Sequence, residues 1–333
     1  MNDLVRHDPA LVEPAPRAGA PEAHGAPAIA VLIPCYNEAL TIGDVAADFA
    51  LRLPGARIYV YDNNSTDETA RVARERGALV YPAPLQGKGN VIRRMFADIE
   101  ADVYLLVDGD GTYDALDADR LIRGVLEDGL DMVCGARVSG EADAFRTGHR
   151  FGNLMLTGLV RRVFGRQFKD MLTGYRAMSR RFVKTFPARS SGFEIETELT
   201  VHTLQMRLPC AEIETRYIAR PEGSASKLRT VHDGARILAM VGLLVRDERP
   251  LPFFATISAA LFLIAAALAA PVAGDYLHLG LVPRFPTLIV AVGLVVAALL
   301  SLTCGLILDT VSRARLEQRR LAYLSVPGPR SAV

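Results

Sequence analysis

The sequence has no tryptophan and only four cysteines, Cys35, Cys134, Cys210 and Cys304. None of them forms a CxxC spacing, which argues against a zinc ribbon and a disulfide framework and suits a reducing cytosolic setting. Neither GxGxxG nor GxxxxGKS/T occurs, so the dinucleotide and P-loop fingerprints are missing. An excess of one charge is missing too. Thirty-eight Lys and Arg face 37 Asp and Glu, a net charge of +1, so no global field argues for nucleic acid as a partner. Residues 1–27 are rich in Ala, Pro and charge and hold no apolar run of signal-peptide length. They read as a disordered leader, not a targeting segment.

Hydrophobic residues make up 50% of the 333, and much of that content falls after residue 250. The length allows one α/β domain of about 200–240 residues and something more. Residues 103–107 form a short apolar run that reads as a buried strand. It stops at Asp108, and Asp110 follows two residues on. Gly109 and Gly111 let the backbone turn tightly and let a ligand approach. Two carboxylates at the end of a buried strand repel each other unless a cation sits between them, and hard oxygen ligands suit Mg²⁺ or Mn²⁺. Further strands are expected at 28–33, 57–61, 78–81, 131–134 and 211–218. Helices are expected from Thr41 to about 53, to about Arg76, from 86 to 99, near 115–128, from about Ser179, and from 192. Ser65 with Glu68 has the capping-box spacing for the second helix. Alternating strands and helices predict a doubly wound, mainly parallel sheet. The polar loops at 34–38, 62–67, 86–90 and 108–114 then fall at the carboxyl ends of the strands, where such sheets bind ligands.

Between Arg137 and Arg181 the chain turns basic, with Arg146, His149, Arg150, Arg161, Arg162, Arg166, Lys169, Arg176 and Arg180 in between. This is either a solvated basic face or a floor for anionic phosphates near a membrane. Residues 149–164 have an amphipathic helical pattern. Glu194, Glu198 and His202 share a helix face that reads as internally paired or solvated in preference to a metal site. Residues 228–250 read as an amphipathic helix lying on a membrane surface. Residues 251–273 and 287–308 are uncharged, each about 22 long, enough to cross a hydrocarbon core. The linker between them carries Arg284. Arg246 and Arg249 precede the first span, and Arg313, Arg315, Arg319 and Arg320 follow the second. That bias predicts a cytoplasmic-membrane protein whose loop is outside and whose α/β domain, termini and basic tail (309–333) are cytoplasmic. Small residues in both spans permit self-association through the hairpin.

Eight motifs in order resemble one family: IPCYNE (33–38), DNNSTDET (62–69), QGKGN (86–90), DGDGTYD (108–114), GAR (135–137), DMLTGYR (170–176), GFEIETEL (192–199) and RPEGSASK (220–227). Together they are similar to the GT-A glycosyltransferases of family 2, in the dolichyl- or polyprenyl-phosphate sugar synthase branch. The resemblance covers about residues 28–230, with the GT-A domain at 28–227, and the two C-terminal spans look like those of the bacterial membrane-anchored members. It implies a Rossmann-like GT-A domain followed by a transmembrane hairpin. Pro34, Tyr36, Glu38, Asp62 and Asn63 would hold the base and ribose of a nucleotide-sugar, with Lys88 also on the donor side. Asp108 and Asp110 would bind Mg²⁺ or Mn²⁺, with Gly109 beside the donor and Thr112 in support. Arg137 and Arg150 would contact the acceptor phosphate. Arg220 and Lys227 would close over the donor diphosphate, and Asp170 would sit beside the reacting sugar. Two features depart from the family pattern. Thr112 stands where Gln is frequent, and Asn63 and Asn64 stand where other members have Asp.

The implied activity is inverting transfer of a sugar from a UDP- or GDP-linked donor to a polyprenyl phosphate, for cell-envelope glycan or lipid modification. The alternatives are a family 2 transferase with another acceptor and an inactive membrane scaffold. A processive polysaccharide synthase would need more spans and usually a Gln-x-x-Arg-Trp motif.

Overall fold

The computed structural model describes residues 26–138, 168–221, 242–243, 246–247 and 249–328. The amphipathic pattern at 149–164, nearly all of the surface helix at 228–250, and both Arg150 and Lys227 lie outside these residues. Two compact units are present, one of residues 1–238 with 322–333 and one of residues 239–321.

The first unit is built on a seven-stranded sheet of order β3-β2-β1-β4-β6-β5-β7. Strands β1 (Ile29–Cys35), β2 (Arg57–Asp62), β3 (Leu79–Pro82) and β4 (Val103–Leu106) are parallel neighbours. The joining helices are α1 (Ile42–Arg52), α2 (Thr69–Glu75) and α3 (Lys88–Asp98). Strand β5 (Met132–Val138) follows α4 (Ala118–Leu126) and pairs in parallel with β7 (Cys210–Arg216). The fold is therefore α/β and mostly parallel, as the alternation of strands and helices predicts. Its central strands β1 and β4 are near-continuous apolar runs because both faces are covered. Val31, Ile33, Val103, Leu105 and Val107 form one core with Phe49 of α1 and Leu121 and Val125 of α4. Leu32, Tyr104 and Leu106, which alternate with them, are buried as well.

The strand that sequence reasoning misses is β6 (Arg176–Ser179), which runs antiparallel between β4 and β5. Its four residues, Arg-Ala-Met-Ser, carry no apolar run to announce it. Arg176 is wholly buried and braces the preceding loop, donating to the carbonyls of Thr173 (3.0 Å) and Met171 (2.7 Å) and to Thr200 Oγ1 (2.9 Å). It is a structural cation and not part of a phosphate floor. Ser179 then caps α5 (Arg180–Thr185) by accepting from the Phe182 amide. The capping box fails: α2 starts at Thr69, and Ser65 Oγ accepts from the Asn37 amide instead (2.9 Å). Helix α6 (Ile195–Met206) precedes β7.

Residues 322–333 belong to this unit. The Tyr323 hydroxyl donates to Asp131 Oδ2 at 2.6 Å, and the Arg181 guanidinium lies 4.6 Å from the Tyr323 ring centre.

The second unit contains α7 (Pro250–Leu279) and most of α8 (Phe285–Ser325). Both are long and apolar enough to cross a membrane. At 1.5 Å per residue each exceeds the roughly 30 Å of a hydrocarbon core. Helix α7 continues through Pro271, and α8 continues past the apolar stretch to Ser325. Small residues serve pairing within the hairpin. Ala265, Ala291, Ala298 and Gly305 are buried, and a side chain at Gly305 would meet Phe254 Cβ at 2.9 Å. Ser258 Oγ donates to the Ala298 carbonyl and Ser301 Oγ to that of Phe254.

Candidate active site

Strands β1 to β4 all end at one edge of the sheet, and each is followed by a polar loop. These loops bind each other. The amides of Asn37 and Glu38 donate to Ser65 Oγ and Thr69 Oγ1, and the Thr66 amide donates to Asn37 Oδ1 (2.7 Å). Asn63, which is buried, donates both amide hydrogens to the carbonyls of Ala83 and Leu85 and accepts from the Gly87 amide. Its side chain thus fixes the loop that leads into α3. Asp62 differs: its Oδ2 lies 3.4 Å from the Ser65 amide, while its buried Oδ1 has no partner among the described residues. A buried acceptor left open at a strand end is what a ligand donor would fill.

The loop after β4 is held from several sides. Thr41 Oγ1 donates to the Gly109 carbonyl (2.7 Å), and the Ile218 amide donates to the Thr112 carbonyl (2.9 Å). Asp110 is buried. Its Oδ1 accepts from the Thr112 amide and hydroxyl (3.2 and 2.6 Å), and its Oδ2 pairs with Arg220 Nη2. Among the described residues, the buried Arg220 Nη1 has no partner. Asp108 Oδ1 accepts from Lys88 Nζ at 2.5 Å, and Lys88 also pairs with Glu196 at 2.5 Å. Burial disfavours the Lys88 charge, but Asp108 and Glu196 outweigh it and raise its pKa above the usual lysine value. Asp108 needs Gly174 beside it, because a Cβ there would run into its carboxylate.

The donor set suits a divalent cation. Asp108 and Asp110 are two hard carboxylates, each now balanced by a side-chain cation. Among the described residues no cluster of three or more His, Cys, Asp or Glu would form a complete protein cage. Two carboxylates leaving the other positions to water and ligand phosphate is the pattern expected for Mg²⁺. Glu194, Glu198 and His202 do not compete for this role. Glu198 accepts from the amides of Arg189 and Ser190, and the His202 ring meets Phe182 and Phe186 edge-on.

Comparison with known proteins bears on the family and the fold. Residues 30–186 match the family model described as Glycosyl transferase family 2. Glycosyltransferase AglJ of Haloferax volcanii is 35% identical over 69% of this chain and 76% of its own length. The chain belongs to glycosyl transferase family 2. Dolichyl-phosphate hexose transferase of Haloferax volcanii is 27% identical over 66% of this chain and 95% of its own. Glucosyl-3-phosphoglycerate synthase from Mycobacterium tuberculosis, solved with Mn²⁺, uridine-diphosphate and glucosyl-3-phosphoglycerate, aligns with a TM-score of 0.56. It covers 66% of this chain and 80% of that one at 24% identity, which shows the shared fold. The GT-A architecture expected from the motifs is therefore present.

In this family 2 enzyme the remaining expected residues fall as follows. Pro34 lies in β1 in register with Tyr61, and Tyr36 and Glu38 follow in the adjoining loop. Arg137 and Asp170 form a two-point ion pair, Nε to Oδ2 at 2.6 Å and Nη2 to Oδ1 at 2.9 Å, and the Arg137 guanidinium lies 5.5 Å from the Tyr217 ring centre. Burial works against the Arg137 charge, but Tyr113 and Asp170 outweigh it and raise its pKa. The basic stretch divides further. Arg180 pairs with Glu100 and Arg181 with Asp131, both at the opposite edge of the sheet. Burial, first of all, raises the pKa of the Cys35 thiol and pushes that of Cys134 up to about 12, so neither is a nucleophile at neutral pH. Sequence reasoning missed Glu196, Thr41 and Gly174. Glu196 stands inside GFEIETEL, two residues from each of the glutamates that share a helix face with His202, so face-counting passed over it.

Proposed function

We propose that the chain transfers a sugar, with inversion, from a UDP- or GDP-linked donor to a polyprenyl phosphate at the cytoplasmic face of a membrane. One observation carries this reading. A carboxylate pair suited to a cation, with the partly buried Arg220 beside it, stands in a chain that also has two long apolar helices. The name of the dolichyl-phosphate hexose transferase relative and the Mn²⁺ and uridine-diphosphate bound to the mycobacterial synthase support it.

In this reading the open Oδ1 of Asp62 takes a donor hydrogen from the base or ribose, with Pro34, Tyr36 and Glu38 around it. Asn63 positions the loop that leads to Lys88. Asp108 and Asp110 hold Mg²⁺ or Mn²⁺, with Gly109 close to the donor. When bound, the cation supplies charge neutralisation for a departing diphosphate. Thr112 fixes the Asp110 carboxylate. Arg220 offers its free Nη1 to the diphosphate oxygens, joined by Lys227. The acceptor is already an anion at neutral pH, so no strong base is required. What must be offset is repulsion between two anions, which falls to Arg137 and Arg150. Asp170 engages Arg137 at two points and so orients it beside the reacting sugar. The apolar hairpin, inserted with both termini cytoplasmic, brings the lipid headgroup to the site and converts a three-dimensional search into proximity.

The test is a transfer assay with labelled nucleotide-sugars, with and without polyprenyl phosphate. Label should pass into the organic phase only when the lipid is present. Transfer to a water-soluble acceptor alone would favour the other family 2 activities. No transfer from any UDP-, GDP- or dTDP-linked donor would favour an inactive scaffold.

A further inference from the structure

The segment Gln86-Gly-Lys-Gly-Asn90 is pressed against the loop before α6. A side chain at Gly87 or Gly89 would run into the carbonyl oxygens of Ser191 or Ser190, and Gly87 has φ of 121°. The Asn90 amide donates to the Ser191 carbonyl. Arg93 fastens the same loop from α3 through the carbonyls of Ala188 (2.6 Å), Arg189 (3.1 Å) and Ser190 (3.1 Å). Glu198 holds it from α6. The backbone on both sides of Lys88 is thus fixed, and its side chain is aimed between two carboxylates on different elements. Those are Asp108, after β4, and Glu196, on α6, each 2.5 Å from Nζ. Glu196 is almost fully buried, with a side-chain exposure of 6%.

Asp108 is also one of the two carboxylates read above as holding a divalent cation. An ammonium group and a divalent cation on one carboxylate repel each other, so Lys88 competes with the metal for Asp108. Glu196 makes the competition reversible. Lys88 need not leave its buried site when Asp108 is claimed, because it keeps its second ion pair. A lysine serving only to cross-link α3 and α6 would not need one of the metal carboxylates. We propose that Lys88 is the exchangeable counter-cation of the metal site, neutralising Asp108 until a divalent cation binds and then retiring onto Glu196. Lys88 and Glu196 are positioning residues for metal loading. The inference rests on the assignment of the metal to Asp108 and Asp110.

The test uses the full chain in detergent, with Mn²⁺ as the probe and its free resonance read by electron paramagnetic resonance, without and with UDP. Lys88→Met should bind Mn²⁺ more tightly, and Glu196→Gln more weakly. Each change should be about tenfold, the size of a one-unit shift from an adjacent charge. Because Glu196 acts through Lys88, the double variant should match Lys88→Met. Should Lys88→Met fold poorly, Lys88→Gln gives the same direction, and the rise in melting temperature on adding Mn²⁺ should exceed that of the parent. Unchanged or weaker Mn²⁺ binding in the Lys88 variants overturns the proposal. So does a Glu196→Gln deficit that persists when Lys88 is already replaced. Asp110→Ala separates the two levels. If it leaves Mn²⁺ binding intact, the metal assignment itself fails. If it abolishes binding while the Lys88 and Glu196 variants behave as the parent, only the counter-cation proposal fails.

Discussion

The two edges of the sheet use the same ingredients to different ends. At the amino edge of β4 and β5, carboxylates meet basic and hydroxyl partners and are saturated. Asp131 is fully buried and accepts from Ser179 Oγ, Arg181 and Tyr323, while Glu100 is held by Arg180 and Lys184. At the carboxyl edge, Asp108 and Asp110 also have cationic partners, but Asp62 Oδ1 and Arg220 Nη1 are left open. A buried polar atom without a partner costs stability. Such atoms are tolerated where a ligand completes them, and their position separates the functional edge from the structural one better than charge does.

Substitutions at the two edges should therefore fail in different ways. The largest effect is expected at Asp110. Asp110→Ala should lower transfer by about 10³-fold or more, the scale of losing a group that stabilises transition-state charge, with a smaller fall in melting temperature than at Asp131 because its partner Arg220 is partly exposed. Full activity in that variant would end the metal assignment. At the other edge, Asp131→Ala strands the partners of a buried carboxylate. It should cost about 3 kcal/mol of stability, seen as a fall in melting temperature, with turnover per folded molecule unchanged. If Asp131→Ala instead lowered turnover at constant stability, the contrast between the edges would be wrong.

Asp170→Asn sharpens the comparison, because it weakens a saturated-looking pair on the functional side. Turnover should fall about 10- to 100-fold, within the range for a misplaced charged group, and the donor KM should stay the same. A pure rise in donor KM would move Asp170 to the donor side. The smallest effect is expected at Glu100. Burial raises its pKa, but Lys184 and Arg180 outweigh that and hold it below the usual value. A carboxylate depressed in the folded state adds stability above its unfolded pKa and loses it as pH falls through the folded value. Glu100→Gln should therefore melt about 1–3 °C lower at pH 7, the shift expected from a partly exposed pair. The deficit should vanish as both proteins are titrated below the folded pKa of Glu100. A deficit that is constant with pH would mean that packing, not charge, is lost.

Much of the architecture is legible in the residues. Strands β1, β2 and β4 are plain apolar runs, and the polar loops after them fall where parallel sheets bind ligands. What escapes has physical reasons. Strand β6 is four residues long and begins with an arginine that tertiary bonds bury. Ser65 has the spacing of a cap, but the Asn37 amide claims its hydroxyl from 28 positions away. Asn63 and Thr41 act through loops that meet only in the folded chain. The pairing of Arg137 with Asp170 joins residues 33 apart, and no local pattern marks Glu196 as the companion of Lys88.

The Tyr323 hydroxyl that closes the Asp131 cluster lies 192 residues further along the chain, in the last turn of α8 and past the apolar stretch of both long helices. At about 5–20 residues per second of synthesis, the catalytic unit waits roughly 10–40 s after Asp131 is made before this fastener exists. Its assembly during translation is thus timed by the emergence of the hairpin, and the last stitch in the enzyme is sewn only after the greasy segment has been handed on.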